Sequence, residues 1–391
     1  MHAGKRSLLA AAGLIALMSP IPGRASPFLI IGNDEKIVWD DEGKAVMSPP
    51  GKDSVVIVDV AKPEEPKIVV TLPLENTVVG PPVNMAFSPN GDIALVANSI
   101  DLVQDGGALK QVPDDRIYVI DMKANPPKLA ATIKAGKQPS GLSISPSGKM
   151  ALVANREDKS ITVLSINGTD VKVADTIQMG DSVAHVAIAP DGKRALAVKF
   201  PAHKVALLDI AADGKVTYDK YDIATGLWPY NVDFTPDGKL AMTADNGGAG
   251  AADGNVDTIS IIDMTANPPR VIDKVVVGDG PEGFAISPAG GFAATALLRG
   301  SNASKKAFFY NKNGSAVLLR IDGNKVTKLK ELEVGGLPEP VAFTPDGKYL
   351  YVGNFIDKNF SILRVDGNDL VDTGKKLMLD GHPAAARMSP K

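Results

Sequence analysis

The stretch PEPVAFTPDGKYLYVGN, from Pro338 to Asn354, holds the signals that decide the fold. A short apolar segment, Val341-Ala342-Phe343, runs into Thr344-Pro345-Asp346-Gly347, and a second apolar segment follows from Tyr349. Asp-Gly between two such runs is a hairpin signal, because glycine takes the left-handed backbone that a tight turn demands. The phrase recurs as PVNMAFSPNG from Pro82, PSGLSISPSG from Pro139, VAHVAIAPDG from Val183, PYNVDFTPDG from Pro229 and PEGFAISPAG from Pro281. A shortened copy, PAAARMSP, starts at Pro383.

The copies are spaced like propeller blades: 57 residues separate Pro82 from Pro139, and 44 separate Pro139 from Val183. Each full copy leads into a second strand such as KMALVANR at Lys149. A third follows, such as RIYVIDM at Arg116, and a fourth, such as KLAATIKAG at Lys128. Four antiparallel strands make one blade. The first strand occurs seven times, but only six copies are followed by the other three strands. The missing three stand near the N-terminus: FLIIGND from Phe28, SVVIVDV from Ser54 and KIVVTLPL from Lys67. The segment from Pro383 must then supply the inner strand of the blade begun at Phe28, which covers edges otherwise open to aggregation. The sequence therefore predicts an all-β chain, with residues 26–391 forming a single seven-bladed β-propeller.

The pattern P-x-x-V-A-F-[ST]-P-D-G-K-x-L-Y-V-x-N at Pro338–Asn354 resembles the YVTN propeller repeat, and the likeness spans almost all of residues 28–391. Similar repeats occur in bacterial and archaeal surface proteins, in lactonase-like propellers and in the eight-bladed haem d1 domain of nitrite reductase. The resemblance implies that ligands bind at one channel mouth, where turns entering the inner strands meet loops leaving the second strands. It does not carry an activity, since propellers host many unrelated functions.

Composition agrees with an exported, disulfide-free protein. Residues 1–25 read as a signal peptide: Lys5-Arg6, an apolar run from Leu8 to Met18, and a small-residue end at Gly23-Arg24-Ala25. The run is too short to span a membrane, and no second one follows. Cleavage would remove three basic residues and no acid, taking the formal charge from −3 to −6. That excludes the basic footprint of nucleic-acid binding. There is no cysteine, which suits a large closed fold with enough buried surface to need no staples. The reading is a periplasmic or secreted monomer.

Chemistry is sought around the channel. The small position of the inner strands reads Ala86, Ser143, Ala187, Asp233, Ala285, Ala342 and Arg387. Asp233 and Arg387 break the pattern: either each reaches solvent or neighbouring backbone, or the two anchor a ligand in the channel. The rim before these strands carries Asn84, Gln138, Ser140, His185, Trp228, Tyr230, Asn231, Glu282, Glu339 and His382. The second strands close on Asn33, Asn98, Asn155, Lys199, Asp245, Leu297 and Asn354, with Arg156 and Arg299 just beyond. Asparagine there suits strand ends, so Lys199 and Asp245 stand out. The inserts 101–115 and 300–313 are read as loops that shape or cover the mouth. The Asp/Gly-rich stretch 245–257 lacks the EF-hand order. No metal site, haem motif, nucleophile elbow or phosphate loop is present, so neither metal nor cofactor is predicted.

Three functions are compatible with this pattern. The first is a binding or scaffold module taking a small molecule or a periplasmic protein at Trp228, Tyr230, Asn231, Asp233, Asp245, Glu339, His382 and Arg387. The second, implied by the resemblance, is a lactonase-like hydrolase of the six-phosphogluconolactonase propeller type. His185, Glu282, Arg156, Lys199 and Arg299 would then supply a base and cations for a developing oxyanion. The third is an accessory subunit of a periplasmic redox system.

Overall fold

The computed structural model describes residues 27–248 and 252–390, so the predicted leader at 1–25 lies outside the described residues. Seven antiparallel sheets form a ring. Blade 1 pairs Phe28–Asn33, Ser54–Asp59 and Lys67–Leu72 with the inner strand Pro383–Met388. Inner strands of blades 2 to 7 are Met85–Phe87, Pro139–Ile144, Val186–Ile188, Pro229–Phe234, Pro281–Ile286 and Pro338–Phe343. Blade 4 departs from the four-strand plan, because its outer edge is split into Val216–Thr217 and Asp222–Ala224.

The repeated phrase closes the same backbone turn in blades 2 to 7. In blade 7 the Thr344 hydroxyl donates to Asp346 at 2.7 Å and accepts the Tyr349 amide at 3.1 Å, while Gly347 sits at φ +70°. Thr235, Asp237 and Gly238 repeat it in blade 5. These turns fill the face opposite the mouth.

Packing runs between blades. Apolar clusters join each neighbouring pair, such as Leu152, Ile161 and Val163 of blade 3 against Val186, Ala195 and Leu208 of blade 4. Blade 1 packs on blade 7 through Leu29, Ile31 and Val58 against Tyr351 and Phe360. Burying a Leu or Ile side chain is worth roughly 1.5–3 kcal/mol, so the ring is held by its interblade seams. No helix among the described residues is long and apolar enough to cross a membrane.

Candidate functional site

Each inner strand enters from the mouth through three residues, the first of them Pro in every blade but the fourth, where it is Val183. Register shifts interrupt the pairing there, between Pro139 and Leu142 and between Pro338 and Val341. The shift separates two rings that the sequence merges into one rim.

The third residue of each repeat serves the seams. His185 accepts the Val232 amide of blade 5 on Nδ1 at 3.2 Å. The Asn231 side-chain amide donates to the Glu282 carbonyl of blade 6 at 2.6 Å. Glycine is required where the neighbour comes closest: a Cβ on Gly141 would overlap the His185 ring, and one on Gly283 would overlap the Glu339 carbonyl. With Nδ1 accepting, the His185 proton sits on Nε2. Burial, aided by the field of Arg387, keeps the ring neutral well below the usual histidine range.

The second residue of each repeat forms the mouth. Here stand Ser140, Tyr230, Glu282 and Glu339, all buried. Burial pushes the Glu282 carboxyl up to about 8, drawn back by Asn246 and Arg156. Burial raises Glu339 well above its usual range, and Glu282 raises it further. Both carboxyls therefore hold their protons to higher pH than free carboxyls do. Arg156, from the loop after the second strand of blade 3, reaches the same space. Its guanidinium lies 5.0 Å over the Phe200 ring, donates to the Val79 carbonyl at 3.3 Å and opposes the rise that burial imposes on Tyr230. Trp228 continues this aromatic wall, edge-on to Phe200 at 5.4 Å.

Buried polar atoms are almost always partnered. Among the described residues, the Ser140 hydroxyl, Arg156 Nε, His185 Nε2, Asn231 Oδ1 and Glu339 Oε2 are buried without a hydrogen-bond partner. These donors and acceptors all come from the inner-strand entries or the adjoining loop.

Deeper in the channel, Asp233 and Arg387 are both partly exposed. Burial raises the Asp233 carboxyl, with Arg387 pulling it back. The two thus share one field across the ring.

The remaining sequence candidates stand away from this group. Asp245, its carboxyl pushed up to about 6 by burial, accepts from Thr243, Thr258 and Ser260 at 2.7, 2.9 and 2.6 Å. Asn155 and Asn354 make the equivalent bonds in blades 3 and 7, so this ring is a blade joint. Lys199 holds the broken outer edge of blade 4 through Tyr218 and Asp222 at 2.6 and 3.1 Å. Arg299 lies in a cleft of about 350 Å³ with Phe308 and Phe309, 3.9 Å from Glu333. His382 stacks on Phe355 at 4.8 Å, and its amide donates to Glu35 at 2.8 Å.

A hairpin absent from the sequence reading, Ile37–Trp39 with Ala45–Met47, covers part of the mouth. Its Ile37, Val38 and Trp39 pack with Val78, Leu298, Leu337, Phe355 and the mouth residue Ala384. Among the described residues, no group of three or more His, Cys, Asp or Glu side chains could hold a metal ion.

Fold and mouth together define a seven-bladed β-propeller with a covered, carboxyl-bearing channel entrance. No family model matches the chain, and a search of curated proteins finds no match. Solved structures do resemble it. A Bacteroides fragilis protein described as a candidate 6-phosphogluconolactonase shares 19% identity at a TM-score of 0.70, covering 95% of this chain and 99% of its own. The periplasmic gluconolactonase of Pseudomonas aeruginosa shares 18% identity at a TM-score of 0.69, over 93% and 99%. Hydrazine synthase of Kuenenia stuttgartiensis shares 19% identity at a TM-score of 0.61, over 81% and 92%. At these identities the likeness shows the fold alone.

Proposed function

We propose that this chain is an exported propeller of the YVTN-repeat type that binds a small, uncharged, hydroxyl-rich molecule at its channel mouth. The observation that carries the reading is the set of buried, unpartnered donors and acceptors that the mouth residues Ser140, Arg156 and Glu339 present. A molecule with alternating hydroxyls supplies partners for both kinds of atom. Each carboxyl that ionises beside Arg156 opposes a bound anion, a cost that a neutral molecule does not meet. Calorimetric titration of the mature protein with neutral sugars, their lactones and the matching sugar acids tests it. Binding of a neutral compound that weakens at least tenfold in Glu339→Gln supports the reading, and preference for the acids overturns it.

A second reading, lactone hydrolysis, is favoured by the two raised carboxyls beside Arg156. Ionised Glu282 would activate water, protonated Glu339 would donate to the leaving alkoxide, and Arg156 would stabilise the developing oxyanion. Turnover of a δ-lactone that disappears in Glu282→Gln would establish it. Binding without turnover leaves the first reading in place.

A further inference from the structure

We propose that the hairpin Ile37–Met47 is a lid over the channel mouth, immobile at its root and released at its tip. That it admits a ligand rests on the reading above; its movement does not.

The root is a buried charge cluster. The Lys36 side chain is fully buried, and its Nζ contacts the Asp53 carboxylate and the Asn76 carbonyl. Asp34 and Glu75 lie 3.7 and 3.5 Å from the same nitrogen. Asp34 also accepts the amides of Lys36 and Val78 at 2.7 and 2.8 Å, and Asp53 accepts that of Glu35 at 2.8 Å. One buried cation thus ties the start of the hairpin to two other segments. Moving it would strand several charges away from water, so the root stays in place.

The tip is different. Asp40 accepts the amides of Glu42 and Lys44 at 3.0 and 2.8 Å, which makes the turn a rigid unit, with Gly43 at φ +73°. That unit lies against the insert 300–313, so closely that a Cβ on Gly43 would come within 2.5 Å of the Ser304 amide nitrogen. The Lys305 amide donates to the Asp41 carbonyl at 3.0 Å, and Lys305 Nζ lies 2.7 Å from the Asp41 carboxylate. Both side chains are more than half exposed, at 54% and 72%. Ion pairs this exposed contribute little and weaken in salt.

Between root and tip, only one strand of the hairpin is anchored. Trp39 packs edge-on against Phe355 at 5.7 Å, whereas Ala45, Val46 and Met47 are exposed. A two-stranded hairpin has little stability of its own, so its closed position depends on Trp39, on the Asp41–Lys305 latch and on the fit of Gly43 against residues 303–304. Breaking the first two swings the tip away from blade 6 about the fixed Lys36. Ala384, buried in the cluster against which Val38 and Trp39 pack, then becomes accessible.

The cysteine-free chain makes this directly testable. Ala384→Cys places one thiol under the lid, and its reaction with N-ethylmaleimide reports opening without any ligand. Labelling should be slow at low salt and accelerate about tenfold or more when Trp39→Ala and Asp41→Ala are added. Equal labelling rates in both backgrounds would overturn the lid. As an independent check, Asp41→Cys with Lys305→Cys should close a disulfide, since the two residues already share a backbone hydrogen bond. Oxidation should slow hydrogen exchange across residues 37–47 relative to the reduced form. Exchange unaffected by oxidation counts against the proposal. Failure of the sugar titrations alone would remove the ligand and leave the lid standing.

Discussion

Phe28 and Ser389, 361 residues apart, close the ring between them. The Phe28 amide donates to the Ser389 hydroxyl at 2.8 Å, and the Ser389 amide donates to the Phe28 carbonyl at 2.7 Å. Between them and the mouth run the pairs Leu29 with Met388, Ile30 with Arg387 and Ile31 with Ala386. Blade 1 is complete only when the last strand is in place.

Deleting residues 383–391 should therefore strip blade 1 of its inner strand and expose the edge of Phe28–Asn33. Losing about five ladder pairs at ~1 kcal/mol each, at roughly 2–4 °C per kcal/mol, lowers the melting temperature by more than about 10 °C. Circular dichroism melts of the two chains check this. An unchanged curve would refute closure by the C-terminal strand.

That closure was legible because strands can be counted, and the seven copies of the phrase leave one blade three strands long. The joint role of Asn155 and Asn354 was legible too, from what asparagine does at strand ends. The mouth was not. Ser140 and His185 fall in one rim in the sequence, but they hold successive positions of the repeat: the second faces the channel and the third enters a seam. Arg156, Tyr230 and Glu282 come from three different blades, so no spacing announces their meeting. The lid hides for another reason: Ile37–Trp39 and Ala45–Met47 are three residues each and too short to show alternation.

The seam role of His185 has a mutational signature. Gly141→Ala should destabilise the protein by about 1–3 kcal/mol, as overpacking does, because its Cβ overlaps the His185 ring. His185→Ala alone should cost about 1–3 kcal/mol by leaving the buried Val232 amide unpaired. In the double variant the overlap with the ring at 2.4 Å is gone while the His185 Cα and Cβ still crowd the added methyl at 2.8 Å, so its cost should fall below the sum without vanishing. Denaturant melts of the four chains measure that coupling, and strict additivity would place His185 elsewhere.

The raised carboxyls set the pH dependence of stability. Folded Asp34 sits at about 6, Glu75 at about 7 and Glu282 at about 8, in each case first because burial disfavours the charged form. Unfolded, these groups ionise near 4. Between those values the native chain binds protons that the unfolded chain has released, so stability falls as pH rises. It is present in full below about pH 4 and is lost progressively as pH passes through 6 to 8. The melting temperature should be higher at pH 5.5 than at pH 8.5. Glu282→Gln should raise it at pH 8.5 and flatten the profile. A profile rising toward pH 8.5 contradicts this account of the mouth.

Lys36 carries the sharpest consequence of the same chemistry. Lys36→Met keeps most of the side-chain volume but leaves Asp34, Asp53 and Glu75 without their common cation. Breaking a buried pair from one side costs about 3–5 kcal/mol, because the remaining charge is uncompensated. If charge and not packing is the cause, the loss must depend on pH. Lys36 draws the raised Asp34 and Glu75 carboxyls back down, so without it these two stay protonated to still higher pH and the variant's deficit should shrink at pH 5. At pH 8 it should show its full deficit. Adding Asp34→Asn and Asp53→Asn removes the charges themselves and should restore much of the stability at pH 8. A deficit of equal size at both pH values would assign the loss to packing and leave the root of the lid without its electrostatic anchor.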